Sequence, residues 1–155
     1  METEGQEIKS IVIELDKEEY AIPVEVVGGI ERMQHITRVP NAADFVQGVI
    51  NLRGVVTPII DLRKRFGMES IEPTESTRII IIHRENFKVG FVVDAAYDVI
   101  DIPEDSIEPA PQVIGTVDAD YIDGVVNINN RLIMLLQLDK VLSIESYQNA
   151  YTKER

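Results

Sequence analysis

Short runs of β-branched and aliphatic residues, broken by charged or glycine-containing turns, recur along this chain. Ile8, Ser10 and Val12 share one parity and Ile11, Ile13 and Leu15 the other, which predicts a strand covered on both faces toward its end. Asp16-Lys17-Glu18-Glu19 is a charged hairpin turn, and Tyr20-Ala21-Ile22 begins the return strand. Pro23 cannot donate to a sheet ladder, so it ends that strand or sits at a sheet edge; Pro23 to Val27 fits one helical turn closed by Gly28-Gly29. Ile30 to Met33 resumes as a short strand. Pro40 to Gln47 predicts a short helix, with Asn41 as its N-cap and Gly48 just beyond its end.

Two apolar strands, 48–52 and 55–60, then meet at the polar turn Asn51-Leu52-Arg53-Gly54. Asp61 caps a short helix from Leu62 to Phe66, which Gly67 stops, and 68–76 is a linking loop. Arg78 to Ile82 predicts a central strand buried on both faces, turning at Glu85-Asn86 into a return strand from Phe87 to Val93. Asp94 to Asp98 reads as an irregular or single-turn segment, Val99 to Ile102 as a short strand, and 103–120 as an acidic loop with three prolines, Pro103, Pro109 and Pro111. Strands are expected from Ile122 to Asn127 and Leu132 to Leu136 around Asn129-Asn130, and a short terminal helix from Leu138 to Ser146. About ten short strands with small helices predict small barrels or a sandwich, not a parallel α/β sheet.

The hairpin occurs twice. Shifted by about 76 positions, Gly48 to Gly67 lies on Gly124 to Ser143: Gly48 meets Gly124, Asn51 meets Asn127, Leu62 meets Leu138 and Lys64 meets Lys140. Tyr20 to Val27 likewise resembles Val89 to Ala96. Two matched blocks in one order imply a duplicated β unit, roughly 8–67 and 77–143. Units that small are marginal alone, so the copies are expected to share an apolar seam, which is the natural place for a groove.

Composition narrows the function. Net charge is -12, from 27 acidic and 15 basic residues, and aromatics are 6%. Phosphate neutralisation and base stacking need the opposite, so nucleic-acid binding and an OB-like oligonucleotide module are disfavoured. An anionic membrane surface is disfavoured by the same charge. With no cysteine, thiolate metal sites and cysteine nucleophiles are excluded. The acidic N-terminus is not a signal peptide and no apolar run spans a bilayer, so the cytoplasm is the expected location.

Candidate chemistry is sparse. His35 and His83 are isolated, which argues against a metal site. Asp118-Ala119-Asp120-Tyr121-Ile122-Asp123 lacks the glycine and the distal glutamate of a calcium loop, and neither a phosphate loop nor a Ser-His-Asp signature is present. No cofactor is expected. Arg53 has two readings of similar weight: an exposed turn arginine, or a recognition residue at a tip that Gly54 leaves open to a partner.

At this turn the chain resembles the CheW family, scaffold proteins of bacterial chemotaxis. The resemblance rests on Gly48-Val49-Ile50-Asn51-Leu52-Arg53-Gly54-Val55-Val56-Thr57-Pro58-Ile59-Ile60-Asp61-Leu62-Arg63, with Glu19 to Val24, Val89 to Asp94, Asp98-Val99-Ile100, Ile107 to Pro111 and Leu138 to Leu142 in support. It covers residues 8–146 and leaves 1–7 and 147–155 as tails. It implies an all-β chain of two five-stranded SH3-like barrels, about 8–75 and 77–137, with a short C-terminal helix near 138–146. It also implies no catalysis, and coupling of the cytoplasmic tip of methyl-accepting chemotaxis receptors to the regulatory domain of the histidine kinase CheA. The implied receptor groove comprises Val27, Ile30, Asn51, Leu52, Arg53, Gly54, Gly90 and Val99; the strands that meet the kinase are left open. Two departures stand out: Gly28-Gly29 replaces longer side chains at the groove edge, and Asn129-Asn130 replaces Arg-Gly in the second copy. A CheV-type coupling half or a detached CheA regulatory domain is the nearer alternative, and a free-standing coupling protein is the expectation.

Overall fold

The computed structural model describes residues 6–110, 113–114 and 117–142. Its strands are β1 (Glu7–Leu15), β2 (Glu18–Pro23), β3 (Val27–Arg32), β4 (Val46–Leu52), β5 (Val55–Asp61), β6 (Arg78–Arg84), β7 (Phe87–Val93), β8 (Ala95–Pro103), β9 (Val113–Ile114), β10 (Val117–Asp118), β11 (Ile122–Ile128) and β12 (Arg131–Leu136). Two short helices, α1 (Leu62–Arg65) and α2 (Leu138–Val141), follow β5 and β12. Single 3₁₀ turns occupy Val24–Val26, Glu104–Ser106 and Ala119–Tyr121.

The strands form two five-stranded sheets, ordered β11-β12-β2-β1-β8 and β3-β6-β7-β5-β4, and β9 pairs with β10. Each larger sheet draws on both sequence copies. Its first hairpin comes from one copy and its remaining three strands from the other, so a division at residue 75 does not separate the sheets. The joints are parallel pairings, β5 beside β7 and β12 beside β2. Their registers match through the repeat: Ile59 faces Gly90 where Leu135 faces Ala21. The bulges repeat too. Val49 exchanges backbone bonds with Thr37 as Val125 does with Glu108, one residue after Gly48 and Gly124 respectively.

Burial follows the parity of the central strands. Ile11, Ile13 and Leu15 of β1 and Ile80 and Ile82 of β6 enter one cluster with Tyr20, Phe91, Leu62, Phe66, Leu138 and Val141. Their neighbours face away into two smaller clusters, Val12, Ala21, Ile102, Val126 and Ile133 in one sheet, and Ile50, Leu52, Ile59, Ile79 and Ile81 in the other. The expected seam is therefore a filled core shared by both sheets, and any groove runs along its rim. Arg65 reinforces the join: its guanidinium stacks on Phe45 and Tyr121 and donates to the Lys140 and Val141 carbonyls of α2.

Several local expectations are corrected. No helix forms over 40–47, because Asn41 takes a left-handed φ of 64° in a turn instead of capping. Gly48 serves the β4 bulge, not a helix end: a Cβ there would lie 2.1 Å from the Thr37 carbonyl oxygen. Gly28-Gly29 lies inside β3, where the pairing with β6 shifts between Val27 and Gly29. Asp98 and its neighbours from Ala95 belong to one long strand, bonded to β1 along nearly its whole length. The acidic stretch 103–120 contains the Glu104–Ser106 turn, the β9–β10 pair and the start of the Ala119–Tyr121 turn. The end of the terminal helix, 143–146, lies outside the described residues. Asp61 does cap α1, accepting from the Arg63 and Lys64 amides, and Gly67 ends it at φ 84°.

Candidate functional site

The β4–β5 turn is a two-residue connection with φ 51° at Arg53 and 87° at Gly54, the mirror-image turn that suits strand twist. Asn51 Oδ1 accepts from the Gly54 amide at 2.8 Å and fixes the tip. In the second copy, Asn129 and Asn130 take the same conformation at 53° and 66°. Asparagine tolerates left-handed backbone better than arginine, so Arg53 is held there at a local cost of about 1 kcal/mol. Lys17 and Glu85 carry the same cost in other turns, so backbone strain alone does not single out Arg53.

What singles it out is its partner. The Arg53 guanidinium lies 3.6 Å from a Glu31 carboxylate oxygen, with side-chain exposures of 73% and 24%. Glu31 is on β3 and Arg53 follows β4, the two ends of the same sheet order. The ion pair and the Thr37–Val49 bridge thus connect β4 and its tip with β3 and the chain that follows it. At the equivalent place in the other sheet Ile100 packs against the local apolar cluster, so the ion pair belongs to one copy.

Beside Glu31, Ile30 faces Ile80, and in the other sheet Val99 faces Ile11. Directly opposed residues share a sheet face, and both Ile80 and Ile11 point into the shared core. Ile30 and Val99 therefore stand at equivalent positions on the core-facing sides of β3 and β8, yet they are 46% and 53% exposed. Deeper along each strand, Val27 and Ala96 are again equivalent and half-buried against the core. Each sheet thus carries one exposed and one half-buried apolar residue of this kind at the rim of the shared core.

Of the eight residues expected in the groove, Ile30 and Val99 stand on this rim, Val27 at its base, and Asn51, Arg53 and Gly54 at the exposed tip tethered beside Ile30. Leu52 and Gly90 are not surface residues. Leu52 is in the core cluster of its sheet, and a Cβ on Gly90 would meet Ile59 Cδ1 at 2.7 Å and Ile79 Cγ2 at 2.8 Å. Glu31 and Ala96 were missed. The β3 bulge at Gly28 sets the facing of Glu31, and no sequence pattern marks it.

A separate cleft of about 500 Å³ lies between Met33–Gln47, α1 and the 70–77 loop. Its three carboxylates are all engaged: Asp44 with Lys64, Asp61 with α1 and Ser70, and Asp94 with Arg63. Burial pushes the Asp94 carboxyl up, but hydrogen bonds from Arg63 and the Asp16 amide hold it below the usual carboxylate range. Nothing in the cleft is poised for acid–base work. Among the described residues no group of three or more His, Cys, Asp or Glu could hold a metal.

The CheW-like domain model matches residues 9–146. The chain belongs to the CheW-like family. Chemotaxis protein CheW of Bacillus subtilis is 46% identical over 142 residues, covering 92% of this chain and 91% of that protein. Chemotaxis protein CheW of Klebsiella aerogenes is 38% identical, covering 93% and 86%. Among solved structures, the scaffolding protein TtCheW from Thermoanaerobacter tengcongensis matches with a TM-score of 0.80 and 35% identity over 88% of each chain. Chemotaxis protein CheV3 of Helicobacter pylori is 31% identical, but this chain spans only 40% of it. The CheW-like resemblance read at the Asn51–Gly54 turn is borne out across the chain, as is the mostly-β architecture.

Proposed function

We propose that this CheW-like chain holds the cytoplasmic tip of methyl-accepting chemotaxis receptors and the regulatory domain of CheA on one rigid body, in the cytoplasm. It is a non-catalytic adaptor of the chemotaxis system, as its family and the scaffolding protein TtCheW support. The observation that carries the receptor assignment is the rim: two equivalent, half-exposed apolar residues, Ile30 and Val99, flanking a buried seam, with a guanidinium tethered at one end. An amphipathic helix laid along such a rim buries its apolar stripe against Val27, Ile30, Ala96 and Val99 and finds a charged hydrogen-bond donor in Arg53. Coupling then needs no chemical change in this chain, only two sites held at fixed spacing.

A second pair of repeat-related residues is exposed on β5 and β12, Val56 at 67% and Leu132 at 53%. These are the surfaces we assign to a like-folded kinase domain, which meets them by apolar packing. Titration of a receptor-tip fragment against Ile30→Asp and Val99→Asp variants tests the groove. Each substitution is expected to weaken binding at least about tenfold, since a charge replaces a buried apolar contact. Unchanged affinity in both variants would move the receptor site elsewhere.

A further inference from the structure

The chain crosses between the two larger sheets twice, outward through Val24–Val26 and back at Asp94. β3 and β8 begin directly after these crossings and carry the two walls of the rim, Ile30 and Val99. The spacing of those walls therefore depends on how firmly each crossing is held. At the second crossing the restraint is dense. The Asp94 amide donates to the Glu14 carbonyl at 3.0 Å. Its carboxylate accepts two parallel bonds from Arg63, Nε at 2.9 Å and Nη2 at 2.7 Å, and a third from the Asp16 amide at 2.8 Å. Arg63 stands on α1, behind β5 of one sheet, and Asp16 in the β1–β2 turn of the other. Both ionic side chains are largely buried, at 13% and 17% exposure. Arg63 also donates to the Glu69 carbonyl, which fixes its own orientation. At the first crossing the equivalent residue, Glu25, is exposed and has no side-chain bond among the described residues.

We propose that Asp94 is a positioning residue for coupling: clamped between Arg63 and the Asp16 turn, it fixes β8 against the opposite sheet and sets the spacing of Ile30 and Val99 across the rim. Forked arginine–carboxylate bonds fix direction as well as distance, which is what such a clamp requires. The functional part of this inference rests on the groove assigned above, whereas the mechanical part does not.

Because the chain has no cysteine, Ile30→Cys with Val99→Cys gives a specific pair for spin labels. Their distance distribution by pulsed electron resonance is expected to widen about twofold in Asp94→Asn, as one arrangement gives way to several. Arg63→Lys, which keeps the charge and loses the fork, is expected to widen it less and carries the test if Asp94→Asn does not fold. Val126→Ala, a core change within one sheet, serves as a control of lowered stability and is expected to leave the width unchanged. An unchanged width in the clamp variants, or equal widening in the control, would overturn the proposal. Receptor-tip affinity of unlabelled Asp94→Asn is expected to fall severalfold. Widening without any loss of affinity would keep the clamp and sink the groove instead.

Discussion

Gly48 and Gly124 occupy the same place in the repeat, yet they should respond differently to alanine. At Gly48, φ is 151°, where only glycine is comfortable, and the added methyl would fall 2.1 Å from a backbone oxygen, that of Thr37. Relief means moving Thr37 and losing its two bonds with Val49, at 2.9 and 2.8 Å. Two hydrogen bonds at about 1 kcal/mol each, with backbone strain of about 2 kcal/mol, give a loss of about 4 kcal/mol. Lower unfolded-state entropy for alanine returns less than about 1 kcal/mol. At Gly124 the nearest atoms are the Ile107 Cγ2 methyl at 2.6 Å and the Glu108 carbonyl oxygen at 3.0 Å, so the backbone approach is looser than at Gly48 and overpacking costs about 1–2 kcal/mol. Urea and thermal unfolding followed by circular dichroism measure both. Gly48→Ala should lower the melting temperature by about 10 °C and Gly124→Ala by less than half of that. Equal losses, or a Gly48→Ala loss below about 1 kcal/mol, would refute the claim that the bulge clamps β4 and its tip to the chain after β3.

Arg53→Glu should leave the melting temperature nearly unchanged, because an exposed ion pair contributes at most about 1 kcal/mol, while receptor-fragment affinity drops about tenfold in titration calorimetry. A stability loss without a binding loss would make Arg53 a structural residue. Tyr20→Phe should stabilise the fold by about 1 kcal/mol in the same urea assay, since the buried hydroxyl meets no hydrogen-bond partner among the described residues. Destabilisation there would mean the hydroxyl is satisfied. Because the Asp94 carboxyl is held below its ordinary value, its contribution is complete above about pH 4 and lost as pH falls through the folded-state value. Asp94→Asn should therefore flatten the acid limb of the stability–pH curve, and an unaltered limb would contradict the clamp.

Much of this fold was legible because alternation and turn chemistry agree in it. Ile79 to Ile82 read as a doubly covered strand, and each parity does enter a separate core cluster. The duplication was visible in paired glycines and asparagines, and its register holds to the residue. What the pattern could not carry was exchange of hairpins between copies, since local sequence specifies a strand but not which of two similar sheets receives it. Pro40 to Gln47 misled for a related reason: Asn41 favours both an N-cap and a left-handed turn, and the Thr37–Val49 bonds beside Gly48 chose the second. In the site, exposed Arg53 and Ile30 were within reach of the sequence. The buried positions of Gly90 and Leu52, and the Glu31 partner, depend on contacts distant in the chain.

The most direct test of the adaptor account is co-sedimentation of CheA with assembled receptor fragments, with and without this chain. Recovered kinase should rise markedly when the wild-type chain is added and should not rise with Arg53→Glu. If wild-type chain leaves kinase recovery at its baseline, the coupling role assigned to the rim is wrong.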